Sequence, residues 1–371
     1  MSLRLPQAIL LINLNMLLTD QQGHLNYIAP VPICASEGNV SISQARLHTV
    51  DALRGIASFS VCWFHLTNGN PELLPNGFLK SSGTYGWLGV QVFFVISGFV
   101  IPFSMWRAGY KIGDFSRFIG KRITRIDPPY LASILLAVAL SCIASLTPGS
   151  RGLWPDYSAV QALAHLGYLN AFLGYPWIIP VFWTLAIEFQ YYLLIAATFP
   201  LLANKRAMIC LGCLASLVLA GLVFRQQSIV LSWLTLFGLG LLTFQFKARK
   251  ITLRAYWIGL PLIAACCCWA SGLIVGMVGL VTALMIAFAS VGGFLLLWLG
   301  EISYSLYLIH APIGGRIVTL GGRFANTSPA YLAVVLVALV ASLIAARVFY
   351  LGIERPAQRW ASRIKYKSVS V

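Results

Sequence analysis

Charge is scarce in this sequence. Asp, Glu, Lys and Arg together make up 10% of the 371 residues while hydrophobic residues make up 59%, and the mean hydropathy is +0.81. A soluble domain of ordinary composition needs a far more charged surface, so water is not the main solvent of this chain. Acid is scarcer still, with 10 Asp and Glu against 26 Lys and Arg and a net charge of +16. The bases lie in short loops between apolar runs and form no continuous surface that could track phosphates. That excludes nucleic acid as a partner and turns the basic excess into topology information. There is no internal repeat, and no matched pair of Gly/Pro-broken helices of the kind that marks inverted-repeat transporters. Among the eight cysteines, Cys62, Cys142, Cys210, Cys213 and Cys266 to Cys268 sit in apolar stretches, where thiols pack as small hydrophobes. The Cys210-Leu-Gly-Cys213 spacing lacks the polar surroundings a metal site needs, so neither a metal nor a disulfide framework is expected.

What the sequence has instead is long apolar runs. They fall at about 48–68, 86–107, 129–148, 180–202, 207–224, 228–246, 255–271, 273–291, 294–313 and 330–351, near the length that crosses ~30 Å of hydrocarbon. The expected fold is all-α, a polytopic membrane helix bundle of about ten transmembrane helices in a lipid bilayer. Ten spans put both termini on one side. The basic loops at Arg107–Arg125, Lys205–Arg206 and Lys247–Arg254, with a tail holding Arg355, Arg359 and Arg363, make that side cytoplasmic. The loop at 149–179 then faces outward. Residues 1–45 are expected to be a cytoplasmic extension, or coding sequence upstream of the true start, because Ala8 to Leu18 is too short to span and is broken by Asn13 and Asn15. The membrane domain is expected over 46–356, with a basic cytoplasmic tail at 357–371.

An ionisable side chain inside a span costs ~2.5–3.5 kcal/mol on insertion scales, so Arg54, His65, Glu188, Glu301 and His310 each ask for a reason. Arg54 and His65 are eleven residues apart, which on a helix means one face and ~16 Å along the axis. Ser58 and Cys62 lie between them, small enough to leave a groove, and the pair would bracket a long thin ligand. A snorkelling Arg and a satisfied core His are the plainer alternatives. Glu188, expected near the depth of His65, forms a polar stripe with Thr184 and Tyr191; its plainer role is a buried carboxylate neutralised by a helix partner such as Arg54. Arg117, Lys121, Arg122 and Arg125 recur every three or four residues as a basic helical face. Such a face suits a phosphorylated donor, or anionic lipid head groups if it only anchors the protein.

At these residues the sequence resembles the acyltransferase 3 family, bacterial membrane O-acyltransferases. Asp51-Ala52-Leu53-Arg54-Gly55 with His65 looks like its opening Arg-x10-His signature, and Val92-Phe93-Phe94-Val95-Ile96-Ser97-Gly98-Phe99 like its second-helix motif. Arg122, Arg125, Pro128 and Tyr130 fit its Arg-rich cytoplasmic segment, and Trp183, Leu185 and Glu188 its Trp-x-Leu-x-x-Glu segment. Gly300 with Ser303-Tyr304-Ser305-Leu306-Tyr307-Leu308-Ile309-His310 resembles the late motif, and Glu354-Arg355-Pro356 the closing one. Asp127, Leu131 and Tyr191 depart from the residues usual in the family.

The resemblance implies acyl-CoA, commonly acetyl-CoA, as donor and a hydroxyl of a glycan, lipid-linked saccharide or small metabolite as acceptor, in a bacterial cytoplasmic (inner) membrane. His65 is then the expected general base, with Glu188 orienting it and Tyr304, Ser303 or Trp183 as donors to the oxyanion. Arg54, Arg122, Arg125 and Trp183 would hold the donor, and Ser97, Ser303 and His310 the acceptor. The chain ends about twenty residues after the last span, so direct transfer, or relay through a separate protein, is expected. The outer loop carries Trp154, Tyr157, Tyr168, Tyr175 and Trp177, which would either stack on sugars or anchor at the interface. A transporter or flippase would also line its path with buried charges, and a non-catalytic scaffold would keep the motifs for stability. Turnover of acyl-CoA by purified protein separates both from an enzyme.

Overall fold

The computed structural model describes residues 37–70, 73–146 and 157–366, with side chains from His48 onward. The chain divides into two units, 1–42 and 43–371, and the architecture below is that of the second. The expected extension at 1–45 lies outside the described residues up to position 36, as do Trp154 in the outer loop and the end of the tail at 367–371.

The described residues are helical, with no strand. In chain order they form α1 (Glu37–Asn68), α2 (Phe78–Gly83), α3 (Gly89–Arg107), α4 (Phe115–Ser145), α5 (Ala159–Leu166), α6 (Trp183–Leu202), α7 (Ala207–Val223) and α8 (Leu234–Lys247). There follow α9 (Leu253–Ser271), α10 (Leu273–Phe288), α11 (Phe294–Glu301), α12 (Ser303–His310), α13 (Arg316–Gly321), α14 (Ser328–Phe349) and α15 (Arg355–Arg363). Six of these helical stretches are long and apolar enough to cross a bilayer, or seven if α11 and the bent stretch after it count as one span. The protein is thus a multi-pass membrane bundle, but ten spans are not all met at that standard. Helices α7 and α10 are short apolar helices, and α1 carries Asp51 and Arg54 within its apolar part.

Two boundaries differ from expectation for a physical reason. The span expected at 129–148 is one 31-residue helix, Phe115–Ser145, running through Pro128 and Pro129. Its basic first half continues the same rod, so Arg122 and Arg125 are carried to the bundle and not left in a loop. After α14 the chain does not stop at 351. A π-helical turn at Tyr350–Glu354 leads straight into α15, so the basic tail begins as helix. A second π turn, Ala311–Gly315, follows α12. Such turns insert one extra residue, rotate the face that follows and gather at functional sites.

Packing divides into two apolar clusters. One joins α3, α6, α7, α8, α9 and α10 around Phe94, Phe237 and Tyr191; the other joins α1, α4, α12 and α14 around Val61, Tyr130 and Leu306. Helices α3 and α8 touch backbone to backbone. A Cβ at Gly98 would collide with the Phe237 carbonyl, and one at Gly240 with that of Val95, so only glycine fits there. Gly55 and Gly300 do the same for α1 against α11, beside Arg54. Glu301, one of the ionisable residues the sequence sets apart, is accounted for by an ion pair with Arg347 at 2.6 Å.

Candidate active site

Between the two clusters lies a cavity of about 960 Å³, open solvent at its mouth included. Seven of the residues singled out from sequence share its wall: Arg54 from α1, Ser97 from α3, Arg122 and Arg125 from α4, Glu188 from α6, and Ser303 and Tyr304 from α12. A second, polar space of about 520 Å³, lined by Asp51, Glu301 and Gln358 among others, shares Arg54, Arg125 and Glu354 with the first. These three side chains therefore form the neck between them.

The arginines differ in what occupies them. The Arg122 guanidinium lies over the Phe118 and Tyr192 rings at 5.2 and 5.3 Å and donates to Ser104 Oγ at 3.2 Å, so it is held in place. Arg54 and Arg125 make no hydrogen bond or ion pair among the described residues. Their planar donor forks are open to an anion.

Glu188 accepts from Ser97 Oγ at 3.1 Å and from Tyr192 Oη at 2.7 Å. The polar stripe thus uses Tyr192 and not Tyr191, because four residues along a helix return to within ~40° of the start and three leave ~60°. Tyr191 is instead fully buried, stacked on Phe237 at 4.0 Å. The bonds of Glu188 tie it to the arginine-lined cavity; His65 is not among its partners. Tyr304 Oη donates to the Ile126 carbonyl at 3.0 Å and Ser303 Oγ to that of Gly300 at 2.8 Å. Trp183 lies outside the cavity wall, against Phe94 and Trp233 at 6.3 and 5.3 Å.

His65 and His310 stand apart from that wall as a ring pair, with centroids 5.1 Å apart and planes tilted by 32°. The groove expected along α1 between Arg54 and His65 is absent: Ser58 and Cys62 are completely buried. The connection runs instead through Tyr307, which lines the cavity, has its Oη 2.6 Å from Thr184 Oγ1, and lies 6.0 Å from the His310 ring.

Three residues that sequence reasoning did not single out thus belong to the site: Tyr192, Tyr307 and Glu354. Glu354 is 2% exposed. Its Oε2 accepts from the Ser305 backbone N–H at 3.0 Å and from Ser305 Oγ at 2.5 Å, and its Oε1 from Gln358 at 2.8 Å. Ser305 lies in the first turn of α12, where N–H groups have no partner within the helix, so Glu354 caps the helix that bears Ser303, Tyr304, Tyr307 and His310. The two motifs that contain them were legible, but not the contact between them.

In the last turn of α5, His165 is buried between Tyr130 and Trp177. Its Nε2 accepts the Ile178 N–H at 3.4 Å and its Nδ1 meets Tyr130 Oη at 2.6 Å. Burial pushes its pKa down to about 4, so the ring is a neutral structural strut.

The chain is 28% identical over 170 residues to a protein named as an acetyltransferase from the Acidianus two-tailed virus, covering 46% of each chain. It is 31% identical over 167 residues to the acyltransferase MdmB of Streptomyces mycarofaciens, covering 42% of this chain and 39% of the relative. The chain therefore matches less than half the length of either relative. No solved structure matches it. An acyltransferase domain profile matches residues 47–347, most of the bundle and all but the last of the motifs set out above, and the chain belongs to that acyltransferase family.

Proposed function

We propose that this protein is a membrane O-acyltransferase that takes an acyl group, commonly acetyl, from acyl-CoA and moves it to a hydroxyl of a cell-surface glycan, lipid-linked saccharide or small metabolite. The carrying observation is the pair of open guanidiniums, Arg54 and Arg125, at the neck between the two cavities. Phosphates bound there bidentately leave the thioester arm free to run along the larger cavity toward Tyr307. His65 beyond it takes the proton of the acceptor hydroxyl as that oxygen attacks the thioester carbon. The C–S bond breaks, and the CoA sulfur leaves with the proton His65 returns. Tyr304 and Ser303, whose hydroxyls donate to backbone carbonyls, would have to turn to serve the oxyanion. The reading includes ten spans in a bacterial inner membrane, with both termini cytoplasmic and the 149–179 loop outside, where Tyr157 is exposed to an acceptor while Tyr168 is buried and donates to Asp127 Oδ1 at 2.8 Å.

Arg54→Lys tests the donor site. Lysine keeps the charge and loses the fork, and a charge-assisted hydrogen bond is worth ~1.5–3 kcal/mol. The KM for acetyl-CoA in detergent-purified protein should rise by about tenfold or more, with kcat and thermal stability little changed. An unchanged KM means that Arg54 does not touch the donor.

A further inference from the structure

We propose that His310 is the positioning partner of His65: its free ring nitrogen accepts an N–H from His65, fixes which nitrogen of His65 is the base, and shares the proton that His65 removes. The inference rests on the reading of His65 as base. His310 is completely buried. Its Nδ1 lies 3.0 Å from the Leu306 carbonyl oxygen. A carbonyl only accepts, so Nδ1 carries the hydrogen, and Nε2 of the neutral ring is a bare lone pair. That Nε2 is buried with no hydrogen-bond partner, a state that costs free energy and that folded proteins rarely leave unused.

The candidate donor is close. The His65 ring, half-buried, has its centroid 5.1 Å away, so a ring rotation brings one of its N–H groups to Nε2. The other ring neighbours do not compete. Phe64 beside His65 has no donor, and the Tyr307 hydroxyl is engaged by Thr184 and the Val181 carbonyl. The end of α12 is also pressed onto α1, since a Cβ at Gly314 in the π turn would collide with Leu66 and Ser342. With one His65 nitrogen donating to His310, the other is a lone pair facing the acceptor. When it takes the hydroxyl proton, the proton shared with Nε2 moves toward His310 and the positive charge spreads over two imidazoles. When the CoA sulfur takes a proton back, both rings return to neutral.

The test uses the full chain in lipid nanodiscs with ¹⁵N-labelled histidine, the five histidines being assigned by single substitution. His65 is expected as one tautomer in the unaltered protein and as a mixture in His310→Leu, which keeps bulk and removes the acceptor. In the same variant kcat for acetyl-CoA turnover should fall at least about tenfold with KM unchanged, and His310→Gln, whose amide oxygen accepts, should recover part of it. Unchanged His65 nitrogen signals in His310→Leu, or an unchanged kcat, overturn the proposal. If His310→Leu does not fold, His310→Gln decides: a His65 tautomer mixture there overturns the pair. Normal turnover by His65→Gln would sink the base reading alone, and the nitrogen signals would then judge the pair by themselves.

Discussion

Replacing Glu354 with Ala should destabilise the bundle by about 3 kcal/mol, most of it through α12. The carboxylate accepts three hydrogen bonds, two of them from Ser305, and Ser305 is completely buried. Without Glu354 the Ser305 N–H loses its acceptor, a cost of ~1–3 kcal/mol. The Ser305 hydroxyl can turn to a backbone carbonyl and recover its share. Arg54 and Arg125, which share the neck with Glu354, also lose an opposite charge, and removing one partner of a buried charge cluster adds further cost. Glu354→Gln separates the two effects. Its amide oxygen still caps Ser305, so it should lose about half as much while weakening the charge balance at the neck. The measurement is equilibrium unfolding in mixed micelles for both variants, with acetyl-CoA binding alongside. If Glu354→Ala unfolds within ~0.5 kcal/mol of the parent, the carboxylate is not the cap of α12 and the argument fails.

His65→Gln keeps a hydrogen-bonding side chain and removes basicity, so turnover at saturating acetyl-CoA should drop by ~10²–10⁴-fold with donor binding and melting preserved. More than about a tenth of parental turnover would make His65 structural. His165 is held to about 4 in the fold against an ordinary 6.5, so the unfolded chain binds its proton more readily. The stability this ring supports is fully present above about 6.5 and is lost as pH falls toward about 4. Allowing for solvent screening at the end of α5, the loss should be roughly 2 kcal/mol. Melting curves from pH 7 to pH 4 should show it, and His165→Gln should flatten the slope. An equal slope in the variant would place the acid sensitivity elsewhere.

Helical spacing made the arginines legible. The three-and-four recurrence of Arg117, Lys121, Arg122 and Arg125 fixes one face of a rod, and the rod is there as α4, longer at its start than hydropathy alone suggests because charge hides its first half. The same arithmetic placed Thr184 and Glu188 on one stripe and erred only between Tyr191 and Tyr192, neighbours that a 3.6-residue turn separates by 100°. What spacing cannot supply is which face another helix covers. Ser58 and Cys62 do lie between Arg54 and His65 on α1, but Ser58 turns its hydroxyl to the Gly55 carbonyl at 3.0 Å and both are buried, so it is Tyr307 on the cavity wall that stands next to the His310 ring.

The contact between Glu354 and Ser305 spans 49 positions and depends on the π turn at Tyr350–Glu354, whose one extra residue no hydrophobic period announces. It nevertheless gives a physical reason for two separate motifs to occur together. The late motif supplies the helix that points Tyr304 and Tyr307 into the cavity and His310 toward His65, and its first turn has unpaired N–H groups that lipid cannot satisfy. The closing motif supplies the carboxylate that does satisfy one of them. That same carboxylate stands at the neck with Arg54 and Arg125, so the cap of the helix facing the histidines and the arginine-lined mouth share one side chain. A change at the mouth that moves Glu354 must therefore also be felt at α12, which couples the two ends of the site through covalent helix and hydrogen bond without any moving part.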